Sequence, residues 1–135
     1  MIALPDEANG ALAVGWATVE LDRAATELAD LLAAGATFVK APSSVTLGAR
    51  CRVGLAASGV LIVLLEPETE GRLAGALARD GEGWRATWFE EPEPAARPLR
   101  SAGAKRGPVG MERLLPDTQG AGLYRLVVEA VPSPP

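Results

Sequence analysis

The 135-residue chain contains no histidine at all. That removes Ser-His-Asp and Cys-His catalysis, imidazole acid/base chemistry and histidine-ligated metal centres together. Cysteine is nearly absent too. Cys51 stands alone, so no intrachain disulfide can form. A lone thiol with no base is expected to be a small buried apolar residue rather than a nucleophile. No apolar run approaches the roughly 18 residues that a membrane helix needs. The start, MIALPDEANG, lacks the basic opening and long apolar core of a signal peptide. These two points, with the single cysteine, set the expectation of a cytoplasmic protein without a membrane partner. The net charge of −4 gives no electrostatic footprint for nucleic acid.

What is present is enough for one domain. At this length roughly two thirds of the unfolded surface can be buried, and 48% of the residues are apolar. The stretch from Gly59 to Glu90, GVLIVLLEPETEGRLAGALARDGEGWRATWFE, organises the rest. Residues 60–65 form an apolar run too short for a solvent-facing helix and long enough for a buried strand. Pro67 ends it, because proline cannot donate to a sheet ladder. Glu68 or Thr69 can cap a short helix through Ala78, with Leu73, Ala76 and Leu77 on one side. Gly81 and Gly83 break the chain, and 84–90 is rich in the residues strands favour.

Upstream, 11–20 is expected to be a strand. Asp22 is the expected cap of a helix over 24–34, with Ala25, Leu28, Leu31 and Leu32 on one face and Gly35 as the stop. Residues 37–41 make a short strand closed by Pro42. Residues 49–55 alternate, with Cys51, Val53 and Leu55 on one face and Arg50 and Arg52 on the other. Downstream, 91–98 carries three prolines, so at best a weak helix covers 95–102. Strands are expected at 111–115 and 123–131. The endings LIVLLEP (61–67) and YRLVVEA (124–130) are alike, which supports a duplicated unit.

Leu64-Leu65-Glu66-Pro67, Gly81-Glu82-Gly83, Trp84 to Ala86 and Phe89-Glu90, at this spacing, resemble the vicinal oxygen chelate superfamily, the glyoxalase, bleomycin-resistance and dioxygenase group. The likeness is nearest to its methylmalonyl-CoA epimerase and glyoxalase-like branch. The resemblance implies an α+β fold of two βαβββ units in a curved, half-open mixed sheet. It places the first unit at 10–67 and the second, with its proline-broken helix, at 82–131. It also implies a homodimer and a divalent metal held by four strands. Carried over by motif, the metal positions fall on Ala13 (or Gly15), Val63, Ala86 (or Arg85) and Leu126.

Alanine, valine and leucine offer a hard cation neither oxygen nor imidazole, so no metal or cofactor is expected. Glu66 and Glu129 lie an odd number of residues beyond those positions and face the opposite side. Strand alternation puts Trp84, Trp88 and Glu90 on the side of Ala86. An apolar, roomy cleft is therefore expected, lined by Ala13, Gly15, Val63, Trp84, Ala86, Trp88, Glu90, Tyr124 and Leu126. The function this suggests is non-catalytic binding of a small apolar or aromatic organic molecule. Two alternatives stand beside it. One is a lyase, isomerase or epimerase using a carboxylate such as Glu90 or an unlocated metal; the other is a dimeric structural or interaction module whose pocket is closed. Trp84 and Trp88 can equally be core filler. Arg50, Arg52 and Arg85 could hold an anion, but solvated strand faces account for them as well.

Overall fold

A strand buried on both faces needs apolar side chains in both directions. The run 62–65 supplies them: each of Ile62, Val63, Leu64 and Leu65 is fully buried. In the computed structural model, which describes residues 2–68, 71–90, 104–115 and 123–128, this run is β4 (Leu61–Pro67). The first unit begins with β1 (Ala13–Ala17), continues through α1 (Leu21–Glu27), and then adds β2 (Val39–Ser44), β3 (Ala49–Leu55) and β4. After α2 (Arg72–Asp80) come β5 (Gly83–Glu90), β6 (Lys105–Arg106), β7 (Met111–Leu114) and β8 (Tyr124–Val128).

These eight strands form one mixed sheet in the order β2-β3-β4-β1-β5-β8-β7-β6. β1 runs parallel to β4, β5 runs parallel to β8, and β1 and β5 meet antiparallel at the centre. The order 2-3-4-1 is thus mirrored by 6-7-8-5. This is the curved, nearly closed α+β sheet of the glyoxalase-like fold. Its two ends approach each other: Val45 N donates to Arg106 O at 3.1 Å, and the Ser44 hydroxyl meets Glu112 at 2.6 Å.

Two apolar clusters follow from strand alternation. The outer one packs Val14, Ile62 and Leu64 under Leu21, Ala24 and Leu28 of α1, with Trp16 against it. The inner one, on the concave face, gathers Ala13, Leu47, Ala49, Cys51, Val63, Leu65, Leu73, Ala86, Trp88 and Leu126.

Several boundaries differ from the expectations. The cap of α1 is Glu20, whose carboxylate accepts from Asp22 N and Arg23 N; Asp22 sits in the first turn and pairs with Arg52. α1 stops at Glu27 and tightens into a 3-10 turn, Ala29–Leu31, because the chain must swing across to the β3–β4 end. There Ala33 N reaches Leu55 O and Ala57 N reaches Leu31 O. β2 runs through Pro42 rather than ending before it. It is the sheet's edge strand, with a register shift between Ala41 and Ser44, where a missing N–H is tolerated. α2 starts at Gly71, at φ 130° and without a side-chain cap, rather than at Glu68. It ends where Gly81, at φ 79°, supplies the left-handed stop. The helix expected at 95–102 and the cap Thr69 lie outside the described residues.

The Gly81-Glu82-Gly83 turn acts as a clasp between the two units. Glu82 accepts from Thr18 Oγ1, Val19 N and both terminal nitrogens of Arg23. Arg23 holds the Glu82 carboxyl below the usual carboxylate range. Its ionised form therefore favours folding above its ordinary value of 4.5, and that contribution is lost as pH falls through the lowered one. The pair is half open to water, so the effect is small. Glu82→Gln is expected to narrow the difference in melting temperature between pH 7 and pH 3; an unchanged difference would disprove the clasp.

Candidate functional site: the concave face

The strand register aligns two rows across the centre. Leu61, Ala13, Trp88 and Leu126 are neighbours in one row; Val63, Gly15, Ala86 and Tyr124 are neighbours in the next. The positions chosen from sequence on β1, β4, β5 and β8 are therefore adjacent on one side of the sheet. Ala13, Val63, Trp88 and Leu126 are 0% exposed and Ala86 is 1% exposed. The expected roominess is wrong. An indole fills the space.

Three local features put the Trp88 ring there. Gly15 leaves a gap: a β-carbon at that position would lie 2.8 Å from Trp88 Cζ3, 3.0 Å from Cη2 and 2.8 Å from Leu65 Cδ1. The ring's benzenoid edge occupies that gap. Its N–H points the other way, across the face to β7, and donates to Glu112 Oε1 at 2.8 Å. The second carboxyl oxygen meets the Ser44 hydroxyl, which itself accepts from Leu47 N at 3.1 Å. Trp88, Glu112 and Ser44 are each essentially inaccessible to water. Burial pushes the Glu112 carboxyl up, against the hydrogen bonds from Ser44, Trp88 and Thr46 that pull it down. Gly107 packs against the same carboxyl: a β-carbon there would collide with Oε1. Gly15→Ala is expected to cost about 1–3 kcal/mol through overpacking, measured by urea unfolding; a neutral result would show the ring is loosely seated.

The other sequence candidates are dispersed. Trp84 is not on this face. The ladder shifts register between Gly15 and Trp16, so that Ala86 faces Gly15 while Trp84 faces Trp16, leaving Arg85 as an extra residue. That single insertion reverses Trp84 to the outer side. There it meets Trp16 edge-on at 5.1 Å and donates to Ala3 O. Arg85 turns back onto the carbonyls of Asp80 and Gly81 at the end of α2. Glu90 lies exposed at the end of β5, and Tyr124 is half-buried beside the cluster. Arg50 pairs with Glu66 and Arg52 with Asp22, so no anion site assembles from them. Glu66 is on the opposite side from Val63, as alternation requires; Glu129 lies outside the described residues.

Cys51 is buried in the inner cluster, its thiol pushed up to about 12, chiefly by burial. It is expected to resist aromatic disulfide reagents in the folded protein at pH 7 and to react on unfolding. Rapid stoichiometric reaction without denaturant would contradict its placement.

Glu112, Ser44 and Gly107 do not stand out in the sequence. One signal for Glu112 was available. Met111–Leu114 reads Met-Glu-Arg-Leu, and in a strand two adjacent charged residues must face opposite sides. One of them had to point inward.

The donor set does not fit the divalent metal that the fold's enzymes are expected to hold. Ala13, Val63, Ala86 and Leu126 offer only hydrocarbon, and the indole lies over the space between them. Among the described residues no group of three or more His, Cys, Asp or Glu converges on a metal position. No helix there is long and apolar enough to cross a membrane.

No protein-family model and no curated protein matches the sequence. Solved structures do. A methylmalonyl-CoA epimerase from Mycobacterium tuberculosis aligns with TM-score 0.69 at 24% identity, over 91% of this chain and 89% of its own. A Streptomyces coelicolor methylmalonyl-CoA epimerase variant in complex with 2-nitronate-propionyl-CoA gives 0.67 at 19% identity, over 90% and 97%. A methylmalonyl-CoA epimerase in complex with methylmalonyl-CoA and NH4+ gives 0.65 at 19%, over 89% and 93%. These neighbours belong to the vicinal oxygen chelate superfamily, and at such identities what they share with this chain is the fold.

Proposed function

We propose that this chain is a metal-free protein of the glyoxalase-like fold whose own Trp88 occupies the centre of the fold. It serves as a dimeric structural or interaction module rather than a cleft-based catalyst or binder. One observation carries the proposal: the indole seated on Gly15 and hydrogen-bonded to Glu112, among side chains with no exposed surface. A small-molecule site needs concave space and a few placed polar groups. Here the polar group, Glu112, is already engaged by the protein itself. The dimer follows the fold's resemblance and is checked by light scattering, which is expected to give twice the chain mass.

A second reading is an epimerase or isomerase acting with a carboxylate. It is supported by the epimerases among the structural neighbours and by Glu112, a buried carboxyl held above its ordinary range. Such a group can take a proton from a carbon acid near neutral pH. For it to do so Trp88 must vacate the space. Incubating the protein with methylmalonyl-CoA in deuterium oxide separates the readings. The first predicts no deuterium at the α-carbon above the protein-free control. Incorporation that disappears in Glu112→Gln would establish the second reading instead. Incorporation that persists in Glu112→Gln would overturn both.

A further inference from the structure

The sheet comes close to closing, and the join is thin. β6 is only two residues long, and β2 is an edge strand. Among the described residues, Val45 N, just past β2, donates to Arg106 O of β6, and Ser44 Oγ of β2 donates to Glu112 Oε2 of β7. Behind the second lies the Trp88 indole, on the other oxygen of the same carboxyl. Glu112 thus ties the sheet's end at Ser44 to the ring filling its centre.

No described cation pairs with Glu112 in this position. Its ladder runs Lys105, Glu112, Val128, Glu90 across β6, β7, β8 and β5. Lys105 and Glu90 are both exposed, so water screens them. From β3 the buried Cys51 thiol faces it. From β2 and the turn after it come the Ser44 and Thr46 hydroxyls, and from β8 Val128, none of which titrates in this range. A neutral carboxyl keeps both bonds without a buried charge: one oxygen accepts the indole N–H and the other accepts from the Ser44 hydroxyl. A carboxylate would be a buried charge without a counter-ion, which is costly. The cheapest relief is hydration, and the Ser44 contact brings the join directly onto the carboxyl.

We propose that the join between β2 and β6–β7 is a proton-operated gate latched by Glu112, which parts when Glu112 ionises and admits water to the concave face around Trp88. This does not depend on which functional reading holds. The sign follows from the raised position of Glu112 in the fold. The closed form is fully favoured below the ordinary carboxyl value of 4.5, and that advantage is lost as pH rises through the raised one.

Hydrogen exchange by mass spectrometry on peptides spanning 44–47 and 105–107 tests the gate, comparing wild type with Glu112→Gln from pH 5 to 9. Comparison at each pH cancels the intrinsic dependence of exchange. The wild-type rate in these peptides is expected to exceed that of Glu112→Gln by a factor growing to roughly tenfold as pH rises. Peptides from β1 and β4 are expected to show a constant ratio. A ratio flat with pH in the join peptides would overturn the proposal. If Glu112→Gln does not fold, infrared spectroscopy of wild type with labelled glutamate gives a second measurement. The protonated carbonyl band of one buried carboxyl should vanish over the same pH range in which the join peptides begin to exchange. A carboxyl that ionises while the join stays protected would equally overturn it.

Discussion

Trp88→Ala is expected to lower the unfolding free energy by about 3–5 kcal/mol, the range for deleting a buried aromatic side chain. Two costs add. The concave face loses its largest buried side chain, and its neighbours on β1, β4, β5 and β8 are held by the sheet ladder and cannot collapse into the gap. The Glu112 Oε1 atom also loses its donor. The cavity left behind has the shape of an indole with one acceptor at the correct edge. Free indole is therefore expected to raise the melting temperature of Trp88→Ala while leaving wild type unchanged. Indene, the same shape without the N–H, should rescue less. Thermal unfolding with each compound checks this. Equal rescue by the two would show that the Trp88–Glu112 bond contributes nothing. A variant as stable as wild type would show that the ring does not fill the centre.

Gly107→Ala is expected to cost about 2–4 kcal/mol, although the residue sits in a turn outside the sheet's centre. Its β-carbon would run into Glu112 Oε1 and Cδ, inside any permissible contact. The carboxyl must move. Moving it strands two buried donors, the indole N–H and the Ser44 hydroxyl, each worth about 1–3 kcal/mol when unsatisfied. Because both losses run through Glu112, the effect should be strongly non-additive with Trp88→Phe, which removes the same indole bond. A double-mutant cycle in urea measures this. Additive costs would mean that Gly107 is constrained by something other than Glu112.

The sequence carried the fold well because the fold rests on periodicity. The apolar run of β4, the glycine stop after α2 and the alternation of Cys51 with Arg50 and Arg52 are local patterns, and the structure keeps them. Parity within β1, β4 and β8 placed Gly15, Val63 and Leu126 on one face. Parity failed for Trp84, because one inserted residue at Arg85 resets it, and a bulge depends on the partner strand rather than on the strand's own sequence. Pro42 misled for a related reason: proline interrupts a central strand but not an edge, and edge position is a property of the whole sheet. The filled centre was beyond reach. Residues 15, 44, 88, 107 and 112 meet only when the sheet curls, and a glycine gives no hint of which ring will rest on it. The absence of donor atoms at Ala13, Val63, Ala86 and Leu126, by contrast, could be read from residue type alone.

The most direct test is metal content. Purified protein, dialysed against cobalt, nickel, manganese and zinc in turn and then against buffer, should retain none of them stoichiometrically, and Trp88→Ala should retain none either. One tightly held equivalent per chain, lost on substitution of a residue on the concave face, would contradict an indole-filled centre in which Ala13, Val63, Ala86 and Leu126 offer no metal-binding atom.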